Sequence, residues 1–270
     1  MSKADYHIHT LFSDGKSEPE EYIRAAIENN LTEMGFSDHL TPSGEQQSWS
    51  IIPDRLPLYF DTIERLARKY RDQITLLAGI EVDYLPGHID ETISYLEKYP
   101  FDYVIGSVHF MGSDPVDLGR SFYEGKDIAK LFTDYFRLVE EAASTGLFDI
   151  MAHPDLVRVF GHKYPGDATP LYRKLAATLK RYDVAFEINT NGMNKPLAGF
   201  YPDPGYLPLF AEEGVSLCIN SDAHTPERVA QHFDEAYKLA AEAGFREVAH
   251  FRERERRPRP IEEQATATKR

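Results

Sequence analysis

Cysteine is nearly missing from this chain of 270 residues, where Cys218 stands alone. No disulfide can form within the chain and no thiolate cage can hold a metal, so any metal must bind through nitrogen and oxygen. Long apolar runs are missing too. None approaches the ~20 residues that span a bilayer. No basic-then-apolar segment precedes His7, which points to a cytoplasmic protein without a membrane anchor. Positive charge is in deficit, with 30 Lys and Arg against 44 Asp and Glu, for a formal net charge of −14. No basic stripe runs through the body of the chain, so a nucleic-acid partner is not expected. An anionic substrate would need a local positive centre, which bound metals could supply.

What is present is an alternation. Strand-like runs are followed by helix-like runs seven times, which implies a mostly parallel sheet. The strand-like runs are Asp5–His9, Glu33–Ser37, Ile74–Val82, Asp102–Val108, Phe148–Ala152, Val184–Asn189 and Val215–Ile219. Ile74–Val82 is apolar nearly throughout, as expected of a strand covered on both faces. Between them lie helical patterns. The first runs from about Glu18 to Asn30, and Ser17 with Glu20 three residues on reads as a capping box. The next shows Tyr59, Ile63, Leu66 and Tyr70 at helical spacing. Thr225-Pro226 is expected to open the last helix, with Val229, Phe233, Ala236 and Ala240 on one face. The polar connection Leu40–Pro53 carries Trp49 and is long enough for a lid or binding loop. Residues 1–250 read as one barrel domain, because candidate ligands sit at nearly every strand end. Residues 251–270, rich in charge with Pro258 and Pro260, read as a mobile end.

Those strand ends carry the chemistry. His7 and His9 are two apart on a strand and share a face, a natural half-site for a transition metal. His39, Glu81, His109, His153, and Asp222 with His224 stand at the ends of later strands. Any one of these histidines alone is better read as a surface or core residue. Six of ten at strand C-terminal ends is not explained by packing, and in a barrel those ends meet at one mouth. His88, His162, His232 and His250 are left outside the cluster. Asp14, in Ser13-Asp14-Gly15, fits turn chemistry as well as ligation. Cys218 reads as a small core residue.

Taken in order, His7-Ile8-His9-Thr10, Ser37-Asp38-His39, Gly79-Ile80-Glu81, Ser107-Val108-His109, His153-Pro154 and Asn220-Ser221-Asp222-Ala223-His224 resemble the motifs of the PHP superfamily, named for polymerase and histidinol phosphatase. Gly79–Tyr84 and Asp102–His109 resemble its histidinol-phosphate phosphatase branch. The resemblance spans Asp5 to about Phe245. It implies an α/β fold, a distorted seven-stranded (β/α)7 TIM-like barrel, and three divalent transition metals. One would take His7, His9, Glu81 and Asp222. A second would share Glu81 and take His109 and His153. A third would take Asp14, His39 and His224. Nitrogen and oxygen ligands suit zinc, iron or manganese.

The implied chemistry is phosphomonoester hydrolysis with a small-molecule substrate, L-histidinol phosphate in this branch. A water acidified by two metals would attack phosphorus in line. Asp222 and His224, like His39, would stand beside the reacting group. Arg158, five residues after His153, is expected to stabilise the phosphoryl charge with a forked pair of donors. Related phosphatases tend to carry an arginine near Asn189–Lys195. Here Asn194 and Lys195 stand there, and Lys195 could act only as a point charge. The competing readings are a phosphoesterase of the same superfamily acting on nucleotides, short oligonucleotides or another small phosphomonoester, and a metal-storing scaffold on an inactive barrel. The complete ligand set argues against the scaffold.

Overall fold

The computed structural model of the protein describes residues 3–43 and 47–261. In chain order the strands are β1 (Ala4–Asp5), β2 (Glu33–Phe36), β3 (His39–Leu40), β4 (Thr75–Asp83), β5 (Tyr103–Ser107), β6 (Phe110–Met111), β7 (Asp114–Pro115), β8 (Ile150–Met151), β9 (Ala185–Asn189), β10 (Leu217–Asn220), β11 (Glu247–Arg252) and β12 (Glu255–Pro260). The helices are α1 (Pro19–Glu28), α2 (Leu56–Tyr70), α3 (Ile89–Lys98), α4 (Ile128–Ser144), α5 (Thr169–Tyr182), α6 (Leu207–Glu213) and α7 (Phe233–Ala243). None of these helices is long and apolar enough to cross a membrane.

Seven parallel strands run in the order β1-β2-β4-β5-β8-β9-β10. β3 also pairs with β4, and in the register of β2: Glu33 lies opposite Thr75 and His39 opposite Glu81. It is the same strand resumed after a break at Ser37-Asp38. The ring closes beyond the last regular pairs. Ile8 bridges Ala223 in parallel, the His9 N–H donates to Ala223 O, and the Ala223 N–H donates to His7 O. The expected seven-stranded α/β barrel is therefore the fold observed.

The lumen is filled by aromatic side chains where glycines make room. The Tyr103 ring lies where a Cβ on Gly35 or Gly79 would collide with it. Its hydroxyl bonds Tyr6 O at 2.7 Å and Phe36 O at 3.0 Å. At the N-terminal mouth, Ala4, Leu77, Ile150, Ala185 and Cys218 form an apolar cluster with Ala249 and Phe251. Cys218 is thus the small core residue expected.

Ala249 and Phe251 come from β11, which pairs antiparallel with β12. The charged end, expected to be mobile, is instead an ordered hairpin as far as Ile261. The reason is burial: Val248, Ala249, His250 and Phe251 of β11 are all buried, Ala249 and Phe251 in the plug, and arginines of the hairpin find partners on the barrel rim. Arg254 pairs with Asp149 and donates to Leu147 O, and Arg256 pairs with Asp183. Residues 262–270 lie outside the described residues.

Two local expectations are also corrected. No capping box forms at α1: the N-cap is Glu18, with no side-chain cap, and Pro19 opens the helix. Glu20 is drawn instead to Arg24, Lys69 and Tyr70. Thr225-Pro226 opens a single tight turn, Pro226–Arg228, and the last helix begins only at Phe233. Val229 is buried ahead of the helix, while Phe233, Ala236 and Ala240 line its inner face as expected.

Candidate metal centre

The C-terminal mouth of the barrel holds all nine residues read as metal ligands. Each arrives for a local reason. His7 and His9 extend β1 toward Ala223, with Ile8 turned into the core between them. Asp38, at the break in the second strand, accepts from Thr10 N, Ser13 N and both their hydroxyls, which curls the loop that carries Asp14. Gly15 completes the curl, because a Cβ there would strike the His9 carbonyl. His39 and Glu81 are register partners on neighbouring strands. His109, His153 and Asp222 follow the ends of β5, β8 and β10. His153 and Asp222 have positive φ values of 23° and 49°. Backbone in that region is uncommon outside glycine, although Asp and His enter it more readily than most, and it concentrates at functional sites.

Glu81 is the hub. One oxygen lies 3.1 Å from His7 Nε2, 3.5 Å from His9 Nε2 and 2.8 Å from His39 Nδ1. The other lies 3.3 Å from His153 Nε2 and 3.9 Å from His109 Nε2. Asp222 Oδ1 is 3.3 Å from His9 Nε2, 3.8 Å from His7 Nε2 and 3.4 Å from His224 Nδ1. Asp14 reaches His224 Nε2 at 3.3 Å and His39 Nε2 at 3.7 Å. The His9 ring is sandwiched between those of His39 and His224, with both centroids at 4.2 Å.

These atoms are buried, yet His7 Nε2, both His9 nitrogens, His39 Nδ1, Asp14 Oδ1 and both oxygens of Glu81 have no hydrogen-bond partner. Buried polar groups are normally paired. A set of unpaired imidazole and carboxylate atoms facing one another at 2.8 to 3.9 Å fits divalent cations. Three groupings are close enough to hold an ion: His9, Asp14, His39 and His224; His7, His9 and Glu81; and His39, Glu81 and His109. They overlap the expected three sets, with His9 and His39 each shared between neighbours.

The charges follow the same geometry. Burial would raise Glu81, but the imidazoles of His7 and His39 hold it well below the carboxylate range. Burial would likewise raise Asp222, but His7 and His9 hold it well below that range. Burial opposes protonation of His39, but Glu81 overrides it and lifts the ring to about 10. His109 is raised to about 9 against burial, by Asp83 and then Glu81. His9 is lowered to about 3 by burial and by its two stacked imidazole neighbours.

A further ring of residues, not singled out from the sequence, orients the ligands. Glu187 accepts from His7 Nδ1 at 3.0 Å, from the His153 N–H at 3.0 Å, from Asn189 Nδ2 at 2.7 Å and from Asn220 Nδ2 at 2.8 Å. Asp83 bonds His109 Nδ1 at 2.7 Å and Thr41 Oγ1 at 2.6 Å. Each carboxylate fixes one ring nitrogen and leaves Nε2 facing inward, the usual support of a metal-bound histidine. Asn189 and Asn191 both donate to Asp222 Oδ2 at 3.2 Å, which leaves Oδ1 for the centre. The signal was available: Glu187 is a carboxylate within an otherwise buried strand, and Asp83 shares a strand face with Glu81.

A cleft of ≈ 230 Å³ opens onto Asp14, His39, His109, His153, Asp222 and His224. Trp49, Phe110 and Leu118 form one apolar wall, with Trp49 and Phe110 stacked at 6.0 Å. The expected binding loop thus contributes through Trp49, and its residues 44–46 lie outside the described residues. Asp117, Lys195 and Tyr201 also line it. Arg158 is not brought into this lining. It is buried, and its fork is occupied: Nη1 donates to Asp155 at 2.8 Å and to Phe200 O at 3.4 Å, and Nη2 pairs with Asp203 at 3.1 Å. Asp155, two residues after His153, turns it away from the cleft. His88 pairs with Glu91 and His162 stacks on Tyr123, both away from the lining. A larger open hollow of ≈ 530 Å³ lies beside the hairpin, but it is lined by none of the unpaired buried atoms.

The PHP domain family matches this chain over residues 5–191. A probable histidinol-phosphatase of Deinococcus radiodurans is 35% identical over 94% of this chain and 98% of its own length. This chain belongs to the PHP domain family. A histidinol-phosphatase of Lactococcus lactis is 29% identical, covering 93% of this chain and 95% of that protein. A crystal structure of the histidinol phosphate phosphatase of Lactococcus lactis, complexed with zinc, L-histidinol and phosphate, has a TM-score of 0.84 at 25% identity and covers 95% of this chain and 99% of that one. The fold of this chain is therefore that of a relative crystallised with zinc, L-histidinol and phosphate.

Proposed function

We infer that this PHP protein is a metal-dependent phosphomonoesterase that hydrolyses L-histidinol phosphate to L-histidinol and phosphate in the cytoplasm. The observation that carries the reading is the convergence of six imidazoles with Asp14, Glu81 and Asp222, five of the rings lying against Glu81 itself, in a chain matching histidinol-phosphatases over nearly its whole length. His7, His9, Asp14, His39, Glu81, His109, His153, Asp222 and His224 would hold up to three divalent ions, with Glu81 as the bridge. When bound, such ions supply Lewis acidity toward the phosphoryl oxygens and make water acidic enough to act near neutral pH.

The chain's own residues do the rest. Glu187 and Asp83 keep the ring nitrogens of His7 and His109 aimed inward. Lys195, half-buried in the lining and in no ion pair among the described residues, offers a point charge to the phosphate. Trp49, Phe110 and Leu118 present an apolar surface suited to an imidazole. Asp117, also in no hydrogen bond or ion pair among the described residues, stands on that wall where a cationic amine would be favoured. Arg158 serves the site through the segment it clamps rather than by direct contact.

The test is phosphate release across a panel of phosphomonoesters after reconstitution with zinc, manganese or iron. Histidinol phosphate should exceed nucleoside monophosphates and short oligonucleotides in kcat/KM by about a hundredfold or more, the discrimination that two recognised polar groups can supply. Equal or better turnover of the nucleotides would replace this reading with a nucleotide phosphoesterase.

A further inference from the structure

Tyr201 stands in the cleft wall beside His153, with the two rings edge-on at 6.2 Å. It is 2% exposed, and its hydroxyl has no hydrogen-bond partner. Among the described residues no other fully buried tyrosine hydroxyl is left so. Tyr59 donates to Gly79 O, Tyr103 to Tyr6 O, Tyr135 to Val108 O and Tyr172 to Asp155. Burying an unpaired hydroxyl is costly, and phenylalanine would fill the same space without that cost.

The backbone around Tyr201 is pinned. Its N–H donates to Asn189 O at 3.1 Å, and the Asn189 N–H donates to Tyr201 O at 2.7 Å. Arg158 reaches Phe200 O on one side and the Asp203 carboxylate on the other. Asp155 accepts from both Arg158 and the Asp203 N–H. The phenol is therefore a fixed donor without a partner, held in the wall of the cleft, and a fixed donor needs no rearrangement when charge arrives.

We propose that the Tyr201 hydroxyl donates a hydrogen bond to a phosphoryl oxygen of the bound ester, and that Arg158, through Asp155 and Asp203, is the residue that positions it. This rests on the phosphomonoesterase reading for its substrate, but not for its test. The phenol supplies what the forked arginine was expected to supply: a donor to the phosphoryl group, without adding charge to the cleft.

The experiment compares wild type and Tyr201→Phe as zinc-loaded full chains, with inorganic phosphate as the probe. Zinc content should be equal, and the melting temperature without phosphate equal or higher in the variant. Phosphate should bind about tenfold more weakly to Tyr201→Phe, and kcat/KM for histidinol phosphate should fall about thirtyfold. Arg158→Lys should give a smaller fall in both, with zinc unchanged. Phosphate affinity within twofold of wild type would overturn the proposal, as would loss of zinc in Tyr201→Phe, which would make the phenol part of the metal site. If wild type fails to hydrolyse histidinol phosphate while phosphate binding still depends on Tyr201, the substrate reading falls and the tyrosine's role stands.

Discussion

The two mouths of the barrel are built on opposite principles. The N-terminal mouth is closed by Ala4, Leu77, Ile150, Ala185, Cys218, Ala249 and Phe251, an apolar plug completed by the β11–β12 hairpin. The C-terminal mouth gathers unpaired imidazole and carboxylate atoms that no protein group satisfies. Burying charge without partners is destabilising, and burying apolar area is stabilising. The same strands thus carry stability at one end and chemistry at the other, as barrel enzymes generally divide them.

The comparison breaks most sharply if metal is taken away. Exhaustive chelation should abolish phosphatase activity, a loss of at least about a thousandfold on the scale of removing an essential metal, and added zinc or manganese should restore it. Activity assay and metal analysis on the same samples check this, and full activity in metal-free protein would end the metal reading. Next in size is the hub. Glu81→Gln should lose more metal than His224→Ala, because Glu81 touches imidazoles of every grouping while His224 belongs to one. Equal or greater loss in His224→Ala would remove Glu81 from its bridging role.

The opposite mouth gives the complementary result. Phe251→Ala should lower unfolding free energy by about 3–5 kcal/mol, the usual cost of removing a buried aromatic ring. It should leave kcat/KM per metal-loaded folded chain unchanged. Denaturant unfolding and kinetics measure the two separately. A smaller effect is expected at the second ring of support: Asp83→Asn should weaken metal binding about 10–100-fold by loosening His109, as read by competition with a chelating dye. The smallest is a proton count. His39 at about 10 and His109 at about 9 are protonated in metal-free protein at neutral pH. Metal must displace those protons, so affinity should fall as pH drops below about 9 and zinc addition at pH 7 should release protons. Calorimetry in two buffers of different ionisation enthalpy reads the number released, and no release would show that the rings are already neutral.

Much of this was legible in the sequence. Strand ends are where barrel chemistry gathers, so six histidines, Glu81 and Asp222 could be placed without coordinates. Asp14 came from the resemblance rather than the pattern, because Asp-Gly is also ordinary turn chemistry. The hairpin was not legible. Arg252–Pro260 reads as a solvated charge run, and only its pairing with the buried run Val248–Phe251 gives it a place. Arg158 was misplaced for a related reason. Its distance from His153 says which loop it occupies, but Asp155 and Asp203 decide which way the guanidinium turns. Glu187 is a third case. A carboxylate inside a buried strand is visible, yet its partner His7 lies 180 residues away, and only the closed ring brings them together.

That ring closure has a consequence for how the protein is made. The bridge between Ile8 and Ala223 joins the first strand to the residues just after the seventh. Synthesis runs from the N-terminus, so His7 and His9 emerge before Asp222 and His224 and wait for the seventh barrel strand to be made. A nascent chain can offer a metal only fragments of the centre, and contacts this distant in sequence form late and slowly. Selection of the metal is therefore deferred until the ring can close, when the complete donor set can compete for its ions as a single unit.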